Sequence, residues 1–396
     1  MNETGRRPRI LVVDDNDDNR YTLALYLELE GYTDIQTAHD GEEAMIRLDS
    51  TEFDLVLLDV MMPKVDGFQV LSWVKSRPRL RELPVIMISA LNEMNSVVRC
   101  IELGAVDYLL KPFDPVLLKA RVGATLEKKR LRDEINAYLT RLRAELEAAR
   151  KLQLSMVPRE FPQATADFPV DLFAMMEPAR EVGGDLYDFF HTSEGRLCFL
   201  VGDVSGKGMP AALFMARTKS LIRIATELMR APDGSPAGAA DIIGRVNREL
   251  ADNNPDMMFV TMFFALLAPA TGELEFCNAG HSPPYRLKGD ELAPIDGPKG
   301  IILGVRGDAI HPAGRLALAV GEMIYLFTDG VSEAMNAAGE MFSEDRLEMA
   351  LGRSIGRSSA EIVAAVHSEL RDFVGTAEAS DDVTMLALRR IGGAES

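Results

Sequence analysis

Cysteine is scarce in this 396-residue chain: three residues, Cys100, Cys198 and Cys277, lie far apart inside apolar segments. No metal-ligand spacing links them, so they read as buried thiols in a reducing cytosol rather than a disulfide framework. Basic charge is also short. The 43 Lys and Arg against 61 Asp and Glu leave a net charge of −18, and no basic stripe exists to displace counterions from a nucleic acid. No apolar run approaches the ~18 residues that a membrane span needs, and the start, Met1 to Arg9, carries no apolar signal core. A soluble, cytoplasmic protein with neither nucleic-acid nor membrane partners is expected. The length exceeds what one hydrophobic core usually organises, so two domains are the natural division. No repeat with a period of tens of residues is visible.

What is abundant is aspartate where apolar strands should end. An N-terminal set comprises Asp14, Asp15 and Asp59, backed by Ser89 and Lys111; a C-terminal set comprises Asp185, Asp203, Asp329 and the pair Asp381/Asp382. Carboxylates gathered like this are costly to bury unpaired and usually hold hard cations.

From Arg9 to about Gly123, short apolar runs (Ile10–Val13, Ile35–Ala38, Leu55–Leu58, Val85–Ser89, Tyr108–Leu110) alternate with helical patterns, as in a parallel sheet covered on both faces. Gly31 and Gly104 are placed as helix C-caps. This predicts an α/β, flavodoxin-like, doubly wound five-stranded domain over residues 8–123. Residues 124–157 contain no glycine or proline, and Ile135, Leu139, Leu142, Leu146, Ala149, Gln153 and Met156 follow a 4-3-4-3 spacing. A helix of about 50 Å follows, either packing on its own domains or forming a parallel two-stranded coiled coil that makes the chain a homodimer. Beyond Pro158, over 158–392, longer strands and hairpins mix with helices in an α+β arrangement. The strands read there are Leu197–Gly202, Met258–Leu267, Glu273–Asn278, Met323–Phe327 and Thr384–Leu388, with a hairpin at Thr271-Gly272.

In the first domain each singled-out polar residue follows the carboxyl end of a strand, where open α/β sheets bind ligands. Three converging carboxylates cannot all stay ionised without a cation, which implies Mg²⁺. A carboxylate on that ion can act as nucleophile toward a phosphoryl group, with Lys111 neutralising phosphate oxygens and Ser89 donating a hydrogen bond. The run Leu58-Asp59-Val60-Met61-Met62-Pro63, with Asp66-Gly67 and Lys111-Pro112, resembles the response-regulator receiver family. The resemblance implies phosphorylation of Asp59 by a partner histidine kinase, a Mg²⁺ site completed by the Met61 carbonyl, and a switch made by Ser89 and Tyr108. It also places a cis peptide at Lys111–Pro112.

In the second domain, four acidic positions so far apart share one site only if strand ends meet. Such a cluster would hold two Mg²⁺ or Mn²⁺ ions, and with no histidine beside these aspartates zinc fits less well. Two hard cations about 4 Å apart suit phosphomonoester hydrolysis by water. The stretches Ala179–Asp188, Gly202–Gly208, Asn278–His281, Phe327–Gly330 and Asp381–Thr384 are similar to the metal-dependent PPM (type 2C) protein phosphatases of the sporulation and stress-response branch, as is the entry Leu152-Gln153 through Pro158. The resemblance implies an αββα sandwich in which Asp185, Asp203 and the Val204 carbonyl hold metals, with Asp329 and Asp381 completing one and Asp382 in a less defined place. It further implies a phosphorylated anti-anti-sigma protein as substrate. Arg180 is a candidate for substrate phosphate or for a surface salt bridge; His281 is a candidate proton donor or a turn-ordering residue. Gly206-Lys207-Gly208 lacks P-loop spacing and reads as a tight turn. Two functions compete: a phosphorylation-controlled phosphatase, and a non-catalytic adaptor whose phosphatase-like domain only binds a partner. Loss of aspartates would mark the adaptor, and none is lost. A DNA-binding regulator is excluded because no helix-turn-helix follows the first domain.

Overall fold

The computed structural model describes residues 7–90, 94–165, 168–180 and 182–392. The chain divides into two compact units, Met1–Leu142 and Arg143–Ser396. The first contains β1 (Arg9–Val13), α1 (Asp17–Leu29), β2 (Asp34–Ala38), α2 (Gly41–Ser50), β3 (Leu55–Asp59), α3 (Gly67–Ser76), β4 (Val85–Ala90), α4 (Met94–Glu102), β5 (Asp107–Lys111) and the start of α5 (Pro115–Met156). Its strands are all parallel, in the order β2-β1-β3-β4-β5. The central strands β1, β3 and β4 are buried on both faces, which is why they read as unbroken apolar runs, whereas the edge strands β2 and β5 are partly exposed and carry polar residues. Leu11, Val13, Val56 and Leu58 pack with Ala44, Leu48, Val70 and Val74 on one side. Ile10, Val12, Leu55 and Leu57 pack with Leu23, Leu27, Leu118 and Val122 on the other. Asn16 caps α1 and an Asp66/Gln69 capping box opens α3. Gly31 and Gly104 follow their helices at φ +90° and +92°, as glycine permits.

The second unit contains β6 (Val170–Glu177), β7 (Leu186–His191), β8 (Leu197–Val204), α6 (Met209–Leu228), α7 (Ala239–Ala251), β9 (Val260–Leu267), β10 (Glu273–Ala279), β11 (Tyr285–Lys288), β12 (Glu291–Pro294), β13 (Lys299–Gly300), β14 (Gly314–Ala317), β15 (Met323–Phe327), α8 (Asp329–Ser332), α9 (Ser343–Arg353), α10 (Ser359–Val374) and β16 (Val383–Arg390). Two sheets form, β13-β10-β9-β8-β7 with β14 on β10, and β12-β11-β15-β16-β6. Phe199, Phe263, Phe276, Leu326 and Leu386 fill the space between the sheets. Met215, Ile222, Ile243 and Val246 of α6 and α7 cover Leu200 and Phe264 of the first sheet. Leu347, Ile362 and Val366 of α9 and α10 cover Tyr325 and Phe327 of the second. The layers are therefore helix, sheet, sheet, helix, as the resemblance implied.

Several strands lay outside the sequence reading. β7 carries a fully buried Asp188 in its middle, which breaks the apolar pattern. Only the fold supplies its partners: Arg223 of α6 donates to both Asp188 oxygens at 2.6 and 2.7 Å, and Lys219 pairs with it. β11 to β14 have four residues or fewer each, too short for a period to show. The last receiver helix and the linker are one element, the 42-residue α5.

Candidate functional sites

In the first unit the strand order places β1 beside β3, so the crevice at their carboxyl ends receives Asp14, Asp15 and Asp59. One oxygen from each of the three carboxylates lies within 4.8 Å of the others. Asp14 and Asp59 are buried and Asp15 is exposed. From the end of β5, Lys111 Nζ stands 2.8 Å from Asp14 Oδ2 and 2.8 Å from Asp59 Oδ1. Burial raises the Asp59 carboxyl to about 6; the Lys111 hydrogen bond opposes this, and the charges of Asp14 and Asp15 add to it. One ammonium among three carboxylates leaves a surplus of negative charge, and an all-oxygen donor set matches a hard divalent cation. Met61 is exposed on the loop after β3. Gly67 permits α3 to start against that loop, since a Cβ there would lie 2.1 Å from the Asp59 carbonyl oxygen. Ser89 is buried at the end of β4, and Tyr108 is half-buried on β5, packed against the cluster holding Met87 and Cys100. The Lys111–Pro112 peptide is cis. Asn19 was not singled out from sequence; its amide donates to Asp14 Oδ1 and Oδ2 at 3.1 and 3.2 Å.

In the second unit antiparallel pairing does what sequence spacing could not. β7 and β8 pair with Leu186 opposite Gly202, so the start of β7, after Asp185, meets the end of β8, which carries Asp203. β15 and β16 pair with Phe327 opposite Met385, so Asp329 and Asp381/Asp382 meet likewise. Asp185 is buried, and its carboxyl is held well above the ordinary range, first by burial and then by the charge of Asp203. Asp203 is raised to about 7 by burial, then by Asp329, Asp381 and Asp382. Asp329 is raised by burial, then by Glu333 and Asp381. The carboxylates repel one another, and an all-oxygen donor set of this kind is of the type that suits a hard divalent cation. Gly184 brings the chain against Val204: a Cβ there would lie 2.6 Å from the Val204 carbonyl oxygen.

Asp382 has other work. Its Oδ1 accepts from Ala179 N–H at 2.8 Å, and its Oδ2 accepts from Gly184 N–H at 2.7 Å and Asp185 N–H at 3.4 Å. Both oxygens are thus engaged in holding the loop before β7. Gly183 is required beside it, since a Cβ would lie 2.0 Å from Asp382 Oδ2. Asp381 pairs with Lys207 at 3.0 Å. Arg180 is exposed and forms no ion pair among the described residues; its neighbour Glu181, within the quoted stretch, lies outside the described residues. His281 is buried in the turn after β10, its N–H on Asn278 Oδ1 at 2.8 Å and its Nδ1 2.9 Å from Thr261 Oγ1. Burial pushes its pKa down to about 4, and both of these hydrogen bonds hold the turn after β10.

Two positioning residues escaped the sequence reading. Thr328 Oγ1 donates to Asp185 Oδ2 at 2.7 Å and accepts from Thr384 N–H at 3.0 Å, so it aims that carboxylate. Gln153, placed by its spacing on the helix seam, is instead buried, donating to the Gly183 carbonyl at 2.6 Å and accepting the Gly183 N–H at 3.1 Å. An amide inside an apolar seam was the available signal.

The family model for Stage II sporulation protein E (SpoIIE) matches residues 193–391, and that for the response regulator receiver domain matches residues 10–123. Protein IcfG of Synechocystis sp. (strain ATCC 27184 / PCC 6803 / Kazusa) is 30% identical over 288 residues, which are 67% of this chain and 44% of that protein. The match therefore spans less than half of that relative's length. Phosphoserine phosphatase RsbU of Bacillus subtilis (strain 168) is 30% identical over 254 residues, 63% of this chain and 71% of that protein. Among solved structures, the SiaA-PP2C domain of Pseudomonas aeruginosa aligns with a TM-score of 0.55 at 22% identity, covering 64% of this chain and 98% of that one; this is a likeness of fold. The chain belongs to the SpoIIE family, and in it a response regulator receiver domain precedes the family's phosphatase domain.

Proposed function

We propose that this chain is a metal-dependent protein serine/threonine phosphatase whose rate is set by phosphorylation of Asp59. The observation that carries the reading is the meeting of Asp185, Asp203, Asp329 and Asp381 at one end of two sheets, with burial and mutual repulsion raising the first three. Asp185, Asp203 and the Val204 carbonyl would hold two Mn²⁺ or Mg²⁺ ions, with Asp329 and Asp381 completing one. When bound there, such a pair of cations would lower the pKa of a water molecule and neutralise charge on the phosphoryl oxygens. Thr328 and Gln153 keep Asp185 and Gly183 in place, and Asp382 closes the loop over them. Arg180, exposed and unpaired among the described residues, is free to meet the substrate phosphate. The phosphoryl group passes to water, the P–O bond to the seryl oxygen breaks, and that oxygen leaves with a proton.

In the receiver, Asp14, Asp15, Asp59 and the Met61 carbonyl would hold one Mg²⁺. A carboxylate oxygen of Asp59 attacks the phosphorus of a histidine kinase's phosphohistidine, the P–N bond breaks, and Lys111 neutralises the transferred oxygens. Ser89 and Tyr108 report the change. RsbU, a phosphoserine phosphatase by name, supports a phosphoserine substrate, and the family resemblance supports an anti-anti-sigma protein as its carrier. The complete set of carboxylates favours catalysis over an adaptor role. Mn²⁺- or Mg²⁺-dependent phosphate release from a phosphoserine protein should be lost in Asp203→Asn, by about 10²-fold or more, as expected when a group acting in the transition state is removed. Undiminished release by that variant would overturn the reading.

A further inference from the structure

A cleft of about 200 Å³ adjoins the acidic site of the second unit, with Gly330 and Asp381 in its wall. It lies between the end of β6, the start of α8 and the last two turns of α10. Gly375, at φ +62°, ends α10 and turns the chain back along the cleft toward Asp381. Its apolar lining comes from Leu370, Val374, Ala334 and Met335, of which Met335 is 40% exposed. Two of the acidic groups around it have partners. Glu177 is held by His367 Nε2 at 2.8 Å and Asp381 by Lys207. Arg371 and Glu378, both exposed at the cleft and without ion-pair partners among the described residues, have opposite signs. Away from Asp381 the wall is apolar, and what that part of the cleft can select is shape and apolarity.

We infer that this cleft is a specificity subsite that takes one leucine- or methionine-sized side chain of the protein substrate from beside its phosphoserine. The inference rests on the proposed phosphatase reading. The occupant follows from position: a phosphoryl group at Asp203 and Asp329 would sit beside Gly330 and Asp381, which wall the cleft, so a side chain next to the phosphoserine is within its reach. Burying an apolar side chain there gains transfer free energy, whereas a charged one loses hydration without meeting an unpaired opposite charge in the apolar part.

The test uses the full chain with Mn²⁺ and three phosphoserine nonapeptides, identical except for leucine, aspartate or lysine on both sides of the phosphoserine. The leucine peptide should exceed both charged ones in kcat/KM by about tenfold, the discrimination an apolar pocket provides. In Met335→Asp, and independently in Val374→Asp, the leucine-to-lysine ratio should fall to near one or invert. Because it is a ratio within each variant, partial misfolding does not mimic it. Equal rates for the three peptides, or a ratio kept in both variants, would overturn the subsite. Hydrolysis of p-nitrophenyl phosphate by the wild type tests the phosphatase reading separately. If that fails, fluorescence anisotropy of the same labelled peptides still decides: leucine-selective binding lost in Met335→Asp upholds the subsite, and binding without selectivity refutes it.

Discussion

At the scale of single residues, environment separates side chains that sequence treats alike. Asp381 and Asp382 are adjacent, yet Asp381 is half-exposed and paired with Lys207, while Asp382 spends both oxygens on backbone N–H groups. No spacing rule distinguishes them, because the donors come from a loop about two hundred residues away. His281 is the clearest titrating case. In the unfolded chain its imidazole titrates near 6.5, whereas in the fold burial pushes it down to about 4. As pH falls below 6.5 the unfolded chain takes up the proton first, so native stability declines progressively until about pH 4. The cost is on the order of 3 kcal/mol at the acidic end. His281→Gln should therefore show a shallower loss of unfolding free energy between about pH 7 and pH 4 in urea titrations; parallel curves would refute the assignment.

At the scale of elements, α5 illustrates how much a helix end can depend on what it meets. Its seam residues Ile135, Leu139 and Leu142 are 59%, 43% and 38% exposed, whereas Gln153 is 4% exposed. One apolar periodicity thus serves two purposes along a single helix. The Gln153 amide replaces water for both polar groups of Gly183, two residues before Asp185. Gln153→Ala leaves a buried N–H and C=O unpaired, at a cost of about 1–3 kcal/mol. It should also lower turnover more than it changes binding of a phosphoserine peptide, because it loosens the loop that carries Asp185. A stability loss with unchanged kcat would confine Gln153 to a structural role. The exposed part of the seam makes the opposite prediction: a second copy covers it. Size-exclusion chromatography with light scattering at micromolar concentration should give a dimer for the wild type and a monomer for the double variant Leu139→Asp/Leu142→Asp. A monomeric wild type would rule out the coiled coil.

At the scale of the molecule, one chain carries two aspartate sets in different surroundings. The receiver set keeps Lys111 2.8 Å from both Asp14 and Asp59; in the second unit Lys207 pairs with Asp381 at the rim, while Asp185 and Asp203 have no ion-pair partner among the described residues. If the first governs the second, phosphate release should differ between the wild type and Asp59→Ala when a phosphodonor such as acetyl phosphate is added, and coincide when it is omitted. A five- to tenfold difference corresponds to a coupling of about 1–1.4 kcal/mol, the lower end of the usual range for such linkage. Identical rates in all four conditions would contradict the control.

The sequence by itself determined the parallel receiver sheet, because its central strands, buried on both faces, are continuous apolar runs, and Asp14, Asp15 and Asp59 stand where β1 and β3 stop. It determined the acidic motifs of the second domain as well, since Gly-Asp and Asp-Gly after apolar runs are costly unless the carboxylate is used. Membrane crossing by a helix was excluded at the same level, and among the described residues no helix is long and apolar enough to cross one. Tertiary structure alone decided the rest. Antiparallel pairing, not spacing, brought four distant aspartates to one end of two sheets. Backbone donors from a remote loop turned Asp382 into a clamp, and burial turned Gln153 from a seam residue into a contact of the Gly183 loop that precedes Asp185. Each of these depends on which surfaces meet, and a linear pattern encodes the periodicity of an element without naming the partner that covers it.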